Sequence, residues 1–423
     1  MLEETTEERS PSYMKDEGRT CQPLASPFFV MAKPIGATCN LHCSYCYYLE
    51  KDALYAPAQQ AVMSDQLLDQ FIHDYIEAQT TSSVLFTWHG GEPLLLPLEF
   101  YEKVIRLQRK YAGGRAIDNV IQTNGTLIDD RWADFFHHEG WLVGVSIDGP
   151  RIMHDAYRRN VTGKGSFDRV MRGIDCLNRH QVEWNAMATV NHINGDHPET
   201  VYHFFKDIGC QYIQFTPVVE RSMPHANGTQ LASADEDGTI TDYSVSAEQW
   251  GRFLCTIFDE WVRQDVGQTF VEIFDATLAN WMGVTPGVCA LAKTCGRALA
   301  MEWNGDVYLC DHFVFPAYRL GNIRERAFVE MMTDKRQQTF AYAKQAALPR
   351  QCRQCEWRFT CNGECPRNRF LTTSDGERGL NYLCAGYRAF FAHVAPYMDY
   401  MRQCLLNDDA PAMVMEAIRN GIL

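Results

Sequence analysis

Residues 39–46 read CNLHCSYC and place Cys39, Cys43 and Cys46 in a C-x3-C-x2-C triplet. The triplet follows an apolar run, residues 27–32, which predicts a strand leading into a loop. Three thiolates at this spacing can hold three irons of a [4Fe-4S] cube and leave the fourth iron free to bind a small molecule. Structural zinc instead recruits four ligands, usually in C-x2-C pairs. The stretch therefore predicts a catalytic iron–sulfur cluster; the alternative is three buried or disulfide-bonded cysteines that cluster by chance.

Size and charge exclude several classes of protein. The 423 residues suffice for about two or three domains, and the net charge of −14 disfavours a nucleic-acid partner, whose phosphates need cations. No window approaches the roughly 18 apolar residues of a membrane span. Residues 1–26 predict a mobile tail, because their start lacks the apolar core of a secretory signal. Sixteen cysteines then indicate metal binding in a reducing compartment, which predicts a cytoplasmic location.

Apolar runs alternate with amphipathic segments over residues 28–275. Strands are predicted at Phe28–Lys33, Val84–Trp88, Asn119–Gln122, Leu142–Ile147, Glu183–Val190 and Tyr212–Pro217. Helices are predicted between them at Asp65–Gln79 (with Ser64 as N-cap), Leu98–Tyr111, Asp129–His138, Phe167–His180 and Pro198–Ile208. Such alternation is typical of βαβ units and a parallel sheet. It predicts an α/β fold, a partial (β/α)6 barrel over residues 27–284, with active residues at the carboxyl ends of the strands.

Two further segments follow the sixth predicted strand. Residues 219–245 are polar and aperiodic, and are predicted to be a loop or insertion. Ala247–Gln264 then predicts a long amphipathic helix that leads out of the barrel.

The chain changes character at Cys289. Asn304-Gly305, between two apolar runs, is the strongest short signal for a β-hairpin, and residues 385–403 predict a helix. Eight cysteines fall in this region: Cys289, Cys295, Cys310, Cys352, Cys355, Cys361, Cys365 and Cys384. They suffice for two fully ligated [4Fe-4S] clusters, with two four-thiolate zinc sites as the alternative; the spacing leaves their grouping open. A second domain is predicted at residues 285–405, followed by a C-terminal tail at 406–423.

In these motifs the sequence resembles the radical SAM superfamily, and more narrowly the anaerobic sulfatase-maturating enzymes with a C-terminal SPASM domain. The resemblance covers most of the chain, from residue 31 to residue 387. Its motifs are CNLHCSYCYYL (39–49), GGEP (90–93), QTNGTL (122–127), VSIDGP (145–150) and NGDVYLCD (304–311). The cysteine triplet is specific to the superfamily, and the eight-cysteine array is specific to SPASM-type enzymes.

The resemblance implies a cofactor. The open iron would chelate S-adenosylmethionine (SAM), and one electron from the cluster would cleave SAM to a 5′-deoxyadenosyl radical. The implied SAM-binding residues are Tyr48, Gly90, Gly91, Glu92, Ser146 and Arg158. Arg158 would pair with the SAM carboxylate as a bidentate fork, with a surface role as the alternative. His89 stands where some relatives have Gln, which leaves its role open.

The resemblance also implies a base and two auxiliary clusters. Asp311, next to Cys310, would take the heteroatom proton that a Cys or Ser side chain must lose on oxidation to an aldehyde. One auxiliary cluster would be held by Cys289, Cys295, Cys310 and Cys365, and the other by Cys352, Cys355, Cys361 and Cys384.

The expected function is oxidation of a sulfatase active-site Cys or Ser to Cα-formylglycine. The substrate would be a Cys/Ser-x-Pro-x-Arg segment, and an external one-electron donor such as flavodoxin or ferredoxin would supply electrons. One alternative is a SPASM maturase that forms thioether or carbon–carbon crosslinks in a ribosomal peptide, although residues 1–26 leave little room for a leader-binding module. The other is a non-catalytic zinc or iron–sulfur scaffold. The particular sulfatase, the Cys-or-Ser preference and the oligomeric state stay open.

Overall fold

The computed structural model describes residues 27–55, 61–225, 228–231 and 237–423, so the predicted tail at 1–26 lies outside the described residues. The first six strands are β1 (Phe29–Lys33), β2 (Ser83–Trp88), β3 (Ala116–Thr123), β4 (Leu142–Ser146), β5 (Trp184–Val190) and β6 (Tyr212–Pro217). The helices among them are α1 (Asp65–Ala78), α2 (Leu98–Tyr111), α3 (Asp130–Glu139), α4 (Arg151–Tyr157), α5 (Phe167–Arg179) and α6 (Pro198–Asp207).

Strands β1 to β6 are parallel, and each pairs with the next in sequence. The crossovers contain helices, as parallel neighbours require. Helix α1 begins where Ser64 accepts the amide hydrogen of Leu67, which satisfies a donor that has no partner within the helix. The predicted partial (β/α)6 arrangement is therefore confirmed, and the predicted bounds differ from the observed ones by at most three residues.

The C-terminal hairpin extends the same sheet. Strand β11 (Ala298–Glu302) runs parallel to β1, and β12 (Asp306–Tyr308) and β13 (Arg319–Asn322) follow antiparallel. Gly305 adopts φ +88° in the predicted Asn-Gly turn, a backbone region that favours glycine. Tyr308, the last residue of β12, lies level with Ala300 and, across β11, with Met31. Asp311, three residues later, is close enough to pair with the side chain of Lys33 at the end of β1. The two predicted domains thus share one sheet of ten strands, whose opposite edge is β10 (Phe270–Val271).

Residues 219–245, predicted to be a loop or insertion, form an insertion with secondary structure of its own that the sequence did not predict. They contain a small antiparallel sheet of β7 (Arg221–His225), β8 (Gly228–Leu231) and β9 (Thr239–Ile240). Antiparallel ribbons are held by main-chain hydrogen bonds, so this one forms without a run of apolar side chains that the sequence could display.

The remaining helices complete the core. They are α7 (Ala247–Gln264), α8 (Glu272–Trp281), α9 (Phe328–Thr333), α10 (Lys335–Ala346), α11 (Arg350–Arg353), α12 (Arg358–Cys361), α13 (Cys384–Leu406) and α14 (Met413–Arg419). Helices α7 and α13 cross where a Cβ on Gly386 would overlap the carbonyl of Ala247, so glycine permits their close packing. Helix α14 lies in the predicted C-terminal tail and buries Val414 and Ala417. Within the described ranges, no helix has the length and apolar character to cross a bilayer.

Candidate active site

The three triplet cysteines lie on the loop that follows β1. Their thiols are half-buried and free, and the amide hydrogen of Leu41 points to Cys39 Sγ at 3.4 Å. Burial raises the pKa of Cys39 to about 11 and that of Cys43 to about 12, and the thiolate charge of Cys46 adds to both shifts. Three buried thiols that repel one another as anions need a cationic group between them to stay deprotonated.

The donor set fits a multi-iron cluster. Among the residues with described positions, no three His, Cys, Asp or Glu side chains converge closely enough for a single metal ion. The donors that this loop offers are three thiols, the ligand type that holds iron–sulfur cubes.

The inward face of the barrel leaves room for a ligand. Partly exposed side chains occupy it: Gln122, Ser146, Met187, Thr189 and Gln214. Alternate residues of the same strands, such as Val145 and Ala186, are fully buried. Since parallel sheets normally bury both faces, the exposed inward face marks a lumen, and its polar side chains suit a polar cofactor such as SAM.

Gly90 and Gly91 follow the end of β2 and pack against residues 36–38, which lead into the cysteine triplet. Gly90 has φ +146°, and a Cβ on Gly91 would overlap the carbonyl of Thr38. The amide of Gly91 donates to the carbonyl oxygen of Gly36 at 2.6 Å. Glycine is therefore required here for backbone packing, whether or not this turn also contacts SAM.

Glu92 is fully buried and bonded within the protein. Its Oε1 accepts from Thr123 Oγ1 at 2.7 Å and from the amide of Leu94 at 2.9 Å, and Oε2 accepts from the amide of Asn124 at 2.8 Å. Burial raises the pKa of Glu92 to about 7, although these hydrogen bonds act to lower it. The carboxylate thus fastens the ends of β2 and β3 together beneath the cysteine loop.

Arg158 is buried and forms an ion pair with Asp148. Asp148 lies within the VSIDGP motif, but the sequence analysis gave it no role. The Nε of Arg158 lies 3.0 Å from Oδ1 of Asp148, and its Nη2 donates to Thr189 Oγ1 at 3.0 Å. The Tyr45 hydroxyl donates to the same aspartate. The alternative of a surface role for Arg158 is therefore excluded, while its contact with SAM stays a prediction.

Ser146 and His89 lie at strand ends around the lumen. Ser146 Oγ accepts from Gln122 Nε2 at 3.0 Å at the end of β4. His89 Nδ1 accepts the amide hydrogen of Gly90 at 2.7 Å. Burial, with the nearby charge of Lys33, lowers the pKa of His89 to about 4, so the ring is neutral at pH 7.

Asp311 connects the two cysteine-bearing regions through contacts of its carboxylate. Lys33 forms an ion pair with its Oδ1, and the Tyr47 hydroxyl donates to its Oδ2. Burial opposes ionisation of Asp311, but Lys33, His89 and His312 together outweigh it and lower the pKa of this carboxyl well below its usual value. Since Tyr47 directly follows Cys46 and Asp311 directly follows Cys310, one carboxylate links the triplet loop to the C-terminal cysteines.

Lys33 is completely buried at the end of β1. Its ammonium lies 3.2 Å from the centre of the Tyr48 ring, and the Tyr48 hydroxyl donates to Glu302 on β11. The sequence reasoning missed the roles of Lys33, Tyr47 and Glu302. A lysine that ends an otherwise apolar strand is the one signal that points to such a buried charge.

The eight C-terminal cysteines divide into two groups according to which thiolates act on one another's pKa. The first contains Cys289, Cys295, Cys310 and Cys365, and the second contains Cys352, Cys355, Cys361 and Cys384. Within each group, burial and then the charges of neighbouring thiolates raise the pKa of the thiols. This grouping agrees with the partition implied by the resemblance, which stays a prediction about cluster ligation.

The chain is similar to known proteins along most of its length. A model of the radical SAM superfamily matches residues 34–205, and a model of the SPASM iron–sulfur cluster-binding domain matches residues 289–356. The serine-type anaerobic sulfatase-maturating enzyme of Bacteroides thetaiotaomicron is 59% identical over 406 residues, which cover 96% of this chain and 98% of that protein.

More distant similarity extends to a second type of enzyme and to a solved structure. The cysteine-type anaerobic sulfatase-maturating enzyme of Clostridium perfringens (strain 13 / Type A) is 30% identical over 373 residues, 88% of this chain and 97% of that protein. The structure of native anSMEcpe with bound AdoMet superposes with a TM-score of 0.79 at 30% identity, covering 89% of this chain and 100% of that one.

Proposed function

Since the chain belongs to the anaerobic sulfatase-maturating enzymes of the radical SAM superfamily, we propose that its own substrate is a serine-bearing sulfatase segment. The enzyme is a radical SAM oxidoreductase that converts a sulfatase active-site Cys or Ser to Cα-formylglycine, with SAM and three [4Fe-4S] clusters as cofactors. The serine preference is supported by 59% identity to a serine-type enzyme against 30% to a cysteine-type one.

Each group of cysteines is proposed to hold one cluster. When bound, SAM and the clusters supply a radical that removes a Cβ hydrogen from the substrate and acceptors for the electron that then leaves it. Cys39, Cys43 and Cys46 hold the cluster that binds SAM. The two groups of four C-terminal cysteines hold the auxiliary clusters.

SAM is proposed to lie in the lumen at the carboxyl ends of the strands. The turn of Gly90 and Gly91 and the hydroxyl of Ser146 border this space. Tyr48, Glu92 and Arg158 support its walls through the buried contacts described above. These residues orient the cofactor and exclude water, while the cofactor carries the difficult step.

Asp311 is proposed to take the hydroxyl proton of the substrate serine. Its carboxylate is held by Lys33 and Tyr47 through one contact to each oxygen, which leaves lone pairs for a substrate hydroxyl. The observation that carries this assignment is its position between Cys46-Tyr47 and Cys310. A substrate bound there lies between the SAM-binding loop and the first group of C-terminal cysteines.

Two features of the partners complete the proposal. The substrate segment carries the Ser-x-Pro-x-Arg pattern, and an external one-electron carrier of the flavodoxin or ferredoxin kind reduces the enzyme. All the cysteines with described positions are free, which supports the proposed reducing, cytoplasmic compartment.

Mass spectrometry of two matched peptides tests the substrate. A Ser-x-Pro-x-Arg peptide is expected to gain the aldehyde on anaerobic incubation with reconstituted enzyme, SAM and dithionite, and the same peptide with Ala in place of Ser is the control. The matching Cys-x-Pro-x-Arg peptide measures preference. Conversion of the Cys peptide alone would contradict the serine proposal, and 5′-deoxyadenosine without conversion of either would move the substrate to another peptide.

Lys33→Met is expected to lower aldehyde formation by about tenfold or more while leaving 5′-deoxyadenosine formation nearly intact. Removing one partner of a buried ion pair leaves the other without its compensating charge and its fixed position. The readout is the ratio of aldehyde to 5′-deoxyadenosine. Lys103→Met, which removes a lysine paired with the exposed Asp65, is the control. An equal loss of both products would assign Lys33 to folding instead.

A further inference from the structure

Residues 151–172 are locally basic in an acidic chain. They contain six Lys or Arg and two Asp, a balance of +4, whereas the whole chain carries −14. Of these, Arg151, Arg159, Lys164 and Arg172 are exposed. Arg151 pairs with Asp168, and Asp155 accepts backbone amides of residues 166 and 167, so the surplus cations face solvent.

Two large apolar side chains stand among these cations. Ile152 is 83% exposed and Val161 is 71% exposed, the highest values for large apolar side chains in the described part of the chain. Single exposed apolar residues are ordinary on protein surfaces. Here both belong to one locally basic segment, and exposed apolar side chains among cations are typical of protein–protein interfaces.

The patch is built on a rigid hairpin. Arg159 pairs with Gly165, and the amide of Asn160 donates to the carbonyl of Lys164 at 2.8 Å. The side chain of Asn160 accepts the amides of Thr162 and Lys164. Val161 is therefore presented at a preformed tip, which lowers the entropic cost of binding a partner.

This hairpin lies directly against the cysteine triplet loop. Leu41, between Cys39 and Cys43, forms an antiparallel bridge with Asn160, and the amide of His42 donates to the carbonyl of Arg159 at 2.7 Å. Adjacent strands are about 5 Å apart. A protein seated on the hairpin is thus only about one strand spacing from the loop that holds the SAM-binding cluster.

We propose that the surface formed by Arg151, Ile152, Arg159, Val161, Lys164 and Arg172, the basic hairpin surface, is the docking site of a flavodoxin-type electron donor. Such a carrier is small and acidic, and it exposes the apolar edge of its flavin. Its charge complements the cations, and its flavin edge suits the apolar tip of Val161. This inference rests on the proposed function for the cluster on the triplet loop and for the need of an external one-electron donor.

Paired assays with two reductants test the docking site. One uses a bacterial flavodoxin reduced by its NADPH-dependent reductase, and the other uses dithionite, a small reductant that needs no docking surface. The variants are Arg159→Glu/Lys164→Glu and Val161→Asp. The matched control is Lys335→Glu/Arg402→Glu, an equal reversal of two exposed charges on α10 and α13.

Loss of steering charges acts mainly on the association rate. The charge-reversal variant is expected to lower kcat/KM for flavodoxin about tenfold, more at low salt than at high salt. Its dithionite-supported rate and the control variant should match wild type. An unchanged flavodoxin rate, or an equal loss with dithionite, would overturn the proposal. Measuring 5′-deoxyadenosine beside the aldehyde keeps this result separate from any failure of the substrate assignment.

Discussion

Replacing Cys43 by Ala is expected to abolish both aldehyde and 5′-deoxyadenosine formation. The three triplet thiols are the only cysteines on the loop after β1, so loss of one leaves an iron of the cube without its protein ligand. Iron bound per reconstituted chain should fall from about twelve atoms to about eight, because the eight C-terminal cysteines are untouched. Iron analysis and chromatography of the SAM products make the measurement.

The chain offers a matched control for this substitution. Cys255 is isolated in sequence on α7 and partly buried, and Cys255→Ala should retain about twelve irons and full turnover. Reductive SAM cleavage that survives Cys43→Ala would contradict the assignment of the SAM-binding cluster. Zinc in place of iron and labile sulfide would contradict the cluster chemistry as a whole.

Asp311→Asn is expected to lower the rate of aldehyde formation by about 10²- to 10⁴-fold, the usual contribution of a positioned base. The amide keeps the shape of the side chain but cannot take up the substrate proton. We expect hydrogen removal from Cβ to precede this step, so 5′-deoxyadenosine should still form when the peptide is present. Mass spectrometry of the peptide and quantification of 5′-deoxyadenosine in the same reaction measure the two products separately.

A control variant and a double variant test whether the loss of activity comes from the Asp311 carboxylate itself. Asp242→Asn removes an exposed carboxylate and should leave both products at wild-type levels. The double variant Lys33→Met/Asp311→Asn should be no slower than Asp311→Asn alone, because Lys33 is expected to act through Asp311. Additive losses would show that Lys33 has a separate task, and a wild-type aldehyde rate in Asp311→Asn would exclude this carboxylate as the base.

The barrel was predictable because its signals are local. Each strand of β1 to β6 is an apolar run of a few residues, and each helix has a periodic apolar face, as in Leu98–Tyr111. The Asn304-Gly305 turn is likewise set by two residues. The small β7–β9 sheet was missed because its pairing depends on main-chain hydrogen bonds between segments without apolar periodicity.

The sequence by itself determined the chemistry of the ligands. Cysteine spacing in the triplet predicted an iron–sulfur cluster with an open iron. The eight further cysteines suited two more clusters or two zinc sites, and the family resemblance favoured the clusters. The family motifs predicted roles for Gly90, Gly91, Ser146 and Asp311. These are properties of short segments and do not depend on what the segments contact.

Only the tertiary structure decided how distant segments act together. The pairing of β11 with β1 brings Asp311 to Lys33 and Tyr47, more than 260 residues away in sequence. The same folding places the 159–165 hairpin on the triplet loop and buries Arg158 against Asp148. Such contacts depend on strand order and register across the whole sheet, so no local pattern specifies them, and the protonation state of Asp311 follows from them.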